Sequence, residues 1–253
     1  MYFLSTKKDK MQIGLSKQEH TILQNLRTQL QQLSDEKTRE TAYRFFKEPI
    51  IVYGVKSATV QALAKATRKQ IKDLDKQTIF WLCESLFHSD YCEESFIASS
   101  RTYELRKQYQ PQDFTVFTRW IATYINNRAK CDTFCNHTMG EFIEQYPSYL
   151  TELKKRTKSK NRRVKRAAAV SLIIPAKKWK FLSDIFQIAD ALLLDPDDMV
   201  QKGYGRMLKV ASQAHQQEVF AYVMKHKAIM PRTALRYAIE KMPKDMKVQA
   251  MSK

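Results

Sequence analysis

Hydrophobic residues recur along most of the chain at the three- and four-residue spacing of amphipathic helices. In one segment Phe114, Phe117 and Ile121 follow this spacing, so that they would share one helix face. The 5 glycines and 7 prolines fall mostly between such segments, which is typical of helices joined by short turns and argues against a sheet. The pattern predicts an all-α protein with helices at about residues 17–33, 36–47, 57–69, 76–88, 92–108, 113–126, 132–145, 147–157, 162–173, 179–193, 198–212, 215–226 and 231–241.

The length and number of these helices indicate the architecture. Most are 11–17 residues long, no heptad repeat is sustained, and no linker rich in glycine or serine divides them. Such a series favours stacked helical repeats, although no strict sequence repeat is present. Helix starts are marked by Pro196, which stands among three aspartates, and by Pro231. We expect an N-terminal segment at residues 1–16 and a single superhelical repeat domain over residues 17–253.

The charge of the chain is strongly unbalanced, and it indicates the kind of partner. Lysines and arginines number 44 against 26 acidic residues, which gives a formal net charge of +18. A polyanion is the commonest partner for such a surplus, ahead of an anionic membrane surface or a gain in solubility alone. The 43% of hydrophobic and 11% of aromatic residues exclude a disordered chain. No apolar run reaches the roughly 18 residues that a membrane-spanning helix needs.

The N-terminal sequence and the cysteines bear on the compartment. The first ten residues, MYFLSTKKDK, lack the apolar stretch and the cleavage site of a secretion signal, so we expect a cytoplasmic protein. The four cysteines lie in sequence of helical character and are interpreted as reduced thiols; they are Cys83, Cys92, Cys131 and Cys135.

The densest positive charge lies at residues 154–166, directly before the apolar sequence AAAVSLII. The cations of this basic segment are Lys154, Lys155, Arg156, Lys158, Lys160, Arg162, Arg163, Lys165 and Arg166, and further cations follow at Lys202, Arg206, Lys209, Arg232 and Arg236. Backbone N–H groups at the start of a helix can also donate hydrogen bonds to a phosphate. A solvated charge run without a partner is the alternative, and a membrane surface is disfavoured because the segment lacks a bulky apolar face. We interpret the segment as a nucleic-acid-binding surface whose affinity falls with salt.

One short sequence has part of the pattern of a metal site. Cys131, Cys135 and His137 are spaced like half of a zinc site, but a structural zinc takes four ligands and no second Cys/His cluster exists. On a helix the two cysteines share one face, as two small core residues would, so we expect no metal. The chain also lacks a P-loop, a dinucleotide fingerprint and a hydrolase elbow, so we expect no cofactor.

Asp132, between these cysteines, has two interpretations. It stands near the start of a predicted helix, where a carboxylate commonly caps the backbone, and we favour this interpretation from the sequence alone. Opposite a basic DNA-binding face, the same carboxylate could instead stabilise a cationic sugar or hold an attacking water.

Several longer motifs resemble those of the AlkD-like DNA alkylation-repair glycosylases. The motifs are NNRAKCDTFCNH (126–137), RVKRAAAVSLI (163–173), DDMVQKGYGRMLKVAS (197–212) and MPRTALRYAIEKMP (230–243), in the order of the family. The stretches FFKEPIIVYGVKSATVQALAK (45–65) and ESLFHSDYCEESFIA (84–98) are similar to its N-terminal half. The resemblance covers the chain from about residue 40 to the end.

This resemblance implies a fold, a partner and a reaction. The family folds as a single C-shaped domain of HEAT-like repeats whose basic concave face binds duplex DNA. Its active members remove cationic N3- and N7-alkylated purines without drawing the base into a pocket, unlike most enzymes that act on bases. Carried over to this sequence, the catalytic aspartate is Asp132 and the supporting arginine is Arg166. We expect a monomer that uses neither a metal nor a cofactor.

The aromatic residues of the family's site are not conserved in this chain. Arg128, Arg163 and Arg206 stand where the family has tryptophans, and Ala58 and Gln61 replace a proline and an arginine in a turn. An indole face attracts a cationic sugar or base by roughly 0.5–2 kcal/mol. An arginine 4 Å away repels it by about 4 kcal/mol at an effective dielectric constant of 20. Because 1.36 kcal/mol is a factor of ten in rate, two such changes cost several powers of ten.

The sequence therefore predicts a family member that binds duplex DNA and excises alkylated purines weakly or not at all. The DNA-binding candidates are Arg128, Lys154, Lys155, Lys158, Lys160, Arg162, Arg163, Lys165, Lys202, Arg206, Arg232 and Arg236. Three alternatives stay open. The arginines could turn towards phosphates and leave Asp132 active, the protein could be a non-catalytic DNA-binding module, or it could be a protein-interaction solenoid.

Overall fold

Helices make up nearly all of the regular structure. The computed structural model describes residues 14–46 and 48–252, in which no strand is formed and one isolated bridge joins Ile51 to Tyr91. The chain divides into two compact units, the first ending at Gln108 and the second beginning at Tyr109. The first contains α1 (Lys17–Gln32), α2 (Glu36–Phe45), α3 (Ser57–Ile71), α4 (Lys76–His88) and α5 (Cys92–Glu104).

The second unit holds the remaining helices. They are α6 (Asp113–Thr123), α7 (Arg128–Phe134), α8 (Gly140–Gln145), α9 (Leu150–Lys155), α10 (Arg162–Val170), α11 (Ile173–Lys177), α12 (Leu182–Leu192), α13 (Asp198–Ala211), α14 (Gln216–His226), α15 (Arg232–Ala238) and α16 (Lys244–Met251). A π-helical turn, Cys135–Met139, joins α7 to α8. In this unit α13 packs against α10, α11, α12 and α15.

Side-chain caps fix several helix starts. Ser16 and Glu19 form a reciprocal capping box at α1, since each side chain bonds to the other's backbone N–H. Asp35 and Asp75 cap α2 and α4 by accepting from the backbone N–H three residues ahead. The cap of α13 is Asp197, which accepts from the first backbone N–H groups of that helix. Each cap satisfies a donor that has no partner inside its helix.

A buried carboxylate anchors the turn before α3. Glu93, 4% exposed, accepts hydrogen bonds from the backbone N–H groups of Tyr53 (3.1 Å), Gly54 (2.9 Å) and Val55 (3.1 Å). Gly54 has φ of +88°, and a Cβ there would stand 2.6 Å from the carbonyl oxygen of Asp35. Only glycine suits this position, because its backbone is left-handed and the neighbouring chain is too close for a side chain.

The adjacent Glu94 joins three elements of the first unit. Its carboxylate accepts from Arg27 on α1 at 3.1 Å and from the phenol of Tyr53 at 2.7 Å. Burial and the bond to Glu94 raise the pKa of Tyr53 above its ordinary value, so the phenol remains a donor. Glu93 and Glu94 together link α5 to α1 and to the turn before α3.

Aromatic rings fill much of the core of the second unit. Phe117 and Trp120 on α6 contact Phe134 edge to face, with ring centroids 5.9 and 6.1 Å away. Phe142 on α8 meets Phe117 at 5.9 Å. All four side chains are buried. The prediction that Phe114, Phe117 and Ile121 share one apolar helix face is confirmed, since all three are buried on α6.

The all-α prediction is confirmed, and most predicted helices are present. The helix predicted at 132–145 begins earlier, at Arg128, and is interrupted by the π-helical turn. The one predicted at 179–193 begins at Leu182, because Trp179 and Phe181 have left-handed backbones with φ of 64° and 63°. The helix α16 after Pro243 was not predicted.

The predicted N-terminal segment extends beyond the residues that the structure describes. Residues 1–13 of the predicted N-terminal segment lie outside the described residues, as do Lys47 and Lys253. The single repeat domain over residues 17–253 stays a prediction. Among the helices that the structure describes, none combines the length and the apolar character that crossing a bilayer requires.

Replacement of Glu93 tests the anchor of this turn. In Glu93→Ala, three buried backbone N–H groups lose their acceptor, and each unsatisfied donor costs about 1–3 kcal/mol when water cannot reach it. We expect the free energy of unfolding, measured by urea denaturation, to fall by about 3 kcal/mol or more. Glu93→Gln, which keeps one acceptor oxygen, should lose less. An equal and small effect of both changes would contradict this role.

Candidate functional site

The start of α7 places Asp132 inside the second unit. Asn127 caps this helix, since its side-chain oxygen accepts from the backbone N–H of Lys130 at 3.0 Å. Asp132 therefore stands one turn inside the helix rather than at its start. The capping interpretation of Asp132 is wrong, because an asparagine five residues earlier already fills that role.

Two arginines from different helices hold the carboxylate of Asp132. Arg166 on α10 donates from Nη2 to Oδ1 at 2.6 Å, and Arg206 on α13 donates from Nη1 to Oδ2 at 2.5 Å. Arg166 also donates from Nη1 to the carbonyl oxygen of Met199 at 2.7 Å. Both carboxylate oxygens are thus engaged by cations. The family resemblance implied that Arg166 supports a site at Asp132, and Arg206 stands at a position where the resemblance implied a tryptophan.

The two arginines differ in how far their side chains are exposed to solvent. The side chain of Arg166 is 2% exposed, whereas that of Arg206 is 36% exposed. Burial tends to lower the pKa of Arg166, but the neighbouring Cys131 and Asp132 outweigh it and leave the pKa raised. Arg166 is therefore a fixed cation, and Arg206 is the partner that can move into solvent.

Two glycines of α13 make room for this arrangement. A Cβ at Gly203 would lie 3.1 Å from Cγ of Arg166, so the missing side chain lets the guanidinium pass. A Cβ at Gly205 would lie 2.9 Å from the carbonyl oxygen of Ala234 and 2.8 Å from Cβ of Tyr237. The sequence Gly-Tyr-Gly thus allows Arg166 on one side and α15 on the other to approach α13 closely.

An open cleft with an empty volume of about 550 Å³ lies over these groups. It is lined by Arg128, Asp132, Arg166, Lys202, Arg206, Lys209 and Tyr237. Five of the seven side chains are cations, and the one carboxylate is already held by two of them. Lys202 pairs with Asp198 at 2.5 Å on its own helix, and Lys209 pairs with Glu240 at 3.0 Å. Such a lining is suited to an anion rather than to a cation.

The structure brings only part of the predicted DNA-binding set together. Arg128, Lys202 and Arg206 line the cleft, and sequence reasoning did not assign Lys209 and Tyr237 to the site. The other candidates lie elsewhere in the second unit; they are Lys154, Lys155, Lys158, Lys160, Arg162, Arg163, Lys165, Arg232 and Arg236. Tyr237 could not be predicted from the sequence, because its position at the cleft depends on the close packing of α15 against Gly205.

Carboxylates neutralise part of the basic segment. Lys154 pairs with Asp184 at 2.5 Å, and Lys155 pairs with Glu152 at 2.7 Å. Three further ion pairs tie this segment to the loop before α13 and to α7; they join Arg162 to Asp197, Lys165 to Asp195 and Arg166 to Asp132. Lys158 and Lys160 are exposed, as is Arg162 beyond its ion pair. The effective charge of the segment is therefore smaller than its composition suggests.

The cysteines of the segment at 131–137 lie in the core. Cys131 and Cys135 are both buried as free thiols with their sulfur atoms 3.8 Å apart, which confirms that they are small core residues. Burial raises the pKa of Cys135 well above its ordinary value and lowers that of His137. In the described residues, no three or more His, Cys, Asp or Glu side chains form a group able to hold a metal ion.

Comparison with known proteins gives a family and a fold. The family model described as DNA alkylation repair enzyme matches residues 26–242. A solved structure titled "Predicted DNA alkylation repair enzyme from Enterococcus faecalis" is similar, with a TM-score of 0.75 and 14% sequence identity over 83% of this chain and 97% of that chain. A comparison with the curated proteins finds no match. At this identity the likeness shows a shared fold, which supports the predicted helical-repeat class.

The difference between the two arginines predicts different effects on stability. Asp132→Ala leaves Arg166 as a buried cation without its carboxylate, and breaking such a buried pair costs about 3–5 kcal/mol. Arg206→Ala removes a partly exposed partner, and we expect a change below about 1 kcal/mol. Urea denaturation of the two variants measures both. Equal losses in the two variants would contradict the assignment of Arg166 as the fixed partner.

Proposed function

The chain belongs to the DNA alkylation repair enzyme family, and we propose that it binds duplex DNA at the cleft over Asp132 with weak or no excision of alkylated purines. The observation that carries this proposal is the state of Asp132. Both of its oxygens accept from arginines, in a cleft with five cations and no tryptophan.

The charge of the cleft supports binding to the DNA backbone. Cations that neutralise phosphates release condensed counterions, and this release drives association at low salt. Arg128, Lys202 and Lys209 line the cleft beside the Asp132 pair, where Asp198 and Glu240 neutralise part of the positive charge. The formal net charge of the whole chain, +18, also favours a polyanion over a neutral partner.

The same charges disfavour the family's chemistry. Loss of an alkylated purine builds positive charge on the deoxyribose, and the base is itself cationic. Arg206 donates to Oδ2 of Asp132, and its positive charge offsets the attraction of this carboxylate for a cationic sugar. Arginine at positions 128 and 206 in addition repels the charge that an indole would attract, by about 4 kcal/mol at 4 Å and a dielectric constant of 20. The chain keeps the carboxylate and loses the electrostatic environment in which it acts.

Duplex binding is tested by fluorescence anisotropy over a range of salt concentrations. For wild-type protein we expect log Kd to rise linearly with log salt, with a slope near 0.9 for each phosphate neutralised. Arg128→Gln combined with Lys202→Gln should lower this slope by about 1–2, because two cleft cations are removed. The matched control is Lys225→Gln on α14, an exposed lysine that does not line the cleft.

Two results would overturn the binding proposal. A wild-type protein that does not bind duplex at low salt would favour the protein-interaction solenoid. An equal effect of the Lys225 control and of the cleft variant would place the bound DNA elsewhere.

Excision is tested with duplex that contains 7-methylguanine. Wild-type protein should release the methylated base at or near the background rate. Arg128→Trp combined with Arg206→Trp frees Oδ2 of Asp132 and restores two indoles, so we expect at least tenfold faster release. Adding Asp132→Asn to this double variant should abolish the gain. Rapid release by wild-type protein, or no gain in the double variant, would overturn the account of the substitutions.

A further inference from the structure

A tryptophan projects from a basic turn of the second unit. Trp179 is 66% exposed, although tryptophan carries the largest apolar side chain of any residue. It stands between α11 and α12 in the sequence Lys177-Lys178-Trp179-Lys180, whose four residues are all exposed. Trp120, in contrast, is fully buried.

The backbone of this turn is strained. Trp179 and Phe181 have φ of 64° and 63°, a left-handed conformation that bulky side chains rarely adopt. The N–H groups of Lys178 and Lys180 both donate to the carbonyl of Pro175, at 3.0 and 3.1 Å. Strain of this kind persists only where the surroundings fix the conformation, and it is concentrated at functional positions.

A single carboxylate fixes the residues on both sides of Trp179. The side chain of Glu144 is 8% exposed, and its Oε1 and Oε2 accept from Lys178 and Lys180, each at 2.8 Å. The ring of His215 meets the indole at 5.1 Å with an interplanar angle of 69°. These contacts hold the turn while most of the indole surface stays in solvent.

We propose that Trp179 is a stacking platform for an unpaired base of nucleic acid. An indole face stacks on any base, and alanine substitution of such platforms weakens binding by roughly five- to 150-fold. The turn carries three exposed lysines, two of which share Glu144, and such cations suit the phosphates next to that base. The base must be unpaired, because both faces of a paired base are covered by its neighbours in the duplex. This inference rests on the proposed binding of DNA and adds a preferred substrate.

A membrane surface suits the turn less well. An interfacial segment inserts a continuous apolar face, and the residues flanking Trp179 are lysines. Charge complementarity therefore favours the nucleic acid.

The experiment compares two duplexes of the same sequence, one intact and one with a single unpaired adenine. Trp179→Asn removes the ring and keeps the turn, because asparagine tolerates a left-handed backbone. We expect it to weaken binding of the bulged duplex about tenfold and to leave binding of the intact duplex unchanged. Trp81→Phe, which alters an exposed tryptophan of the first unit, is the matched control and should change neither.

Fluorescence gives a second measurement that does not depend on affinity. Of the three tryptophans of the chain, Trp81→Phe leaves Trp179 and the buried Trp120. We expect the bulged duplex to quench the emission of this variant more strongly than the intact duplex does. Glu144→Gln, which weakens the hold on both lysines, should reduce the preference for the bulged duplex without removing the ring.

The outcomes separate this inference from the proposed function. Equal losses on both duplexes, or no loss on either, would overturn the stacking role while DNA binding stands. Failure of wild-type protein to bind either duplex would overturn both. Quenching by an intact duplex as strong as by the bulged one would also contradict a platform for an unpaired base.

Discussion

The buried guanidinium of Arg166 is stable only when a carboxylate pairs with it, and this ion pair positions the helices at the centre of the second unit. Arg166 on α10 reaches Asp132 on α7, passes Gly203 of α13 and donates to the carbonyl of Met199. Three helices are therefore held in register by one side chain, since a desolvated charge tolerates little displacement from its partners. The position of the cleft follows, because α7 and α13 also carry most of its other cations.

The helices could be predicted where their determinants are local. Apolar spacing, aspartate caps and prolines act within one or two turns, and the starts at Asp113 and at Asp198 agree with the structure within a residue. The late start of α12 could not be predicted in this way. The turn that contains the left-handed Trp179 and Phe181 is held by Glu144, which pairs with Lys178 and Lys180, and by the ring of His215, and both lie more than thirty residues away in the sequence.

The residues of the candidate site likewise divide into those that were predicted and those that depend on contacts between distant parts of the chain. Asp132 and Arg166 followed from a family resemblance, because a separation of 34 residues gives no distance by itself. Arg206 was expected to bind phosphate, and the structure adds that it also neutralises Asp132. Tyr237 was not foreseen, since it reaches the cleft only because Gly205 lets α15 approach α13.

The π-helical turn Cys135–Met139 divides what would be one helical rod into two halves that face different neighbours. The half before it, α7, packs against α10, whereas the half after it, α8, packs against α11. Each residue of a helix advances the side chains by about 100° around the axis. A π-helical turn holds about one residue more than an α-helical turn, and this extra residue separates the half that carries Asp132 from the half that buries Phe142 and Ile143.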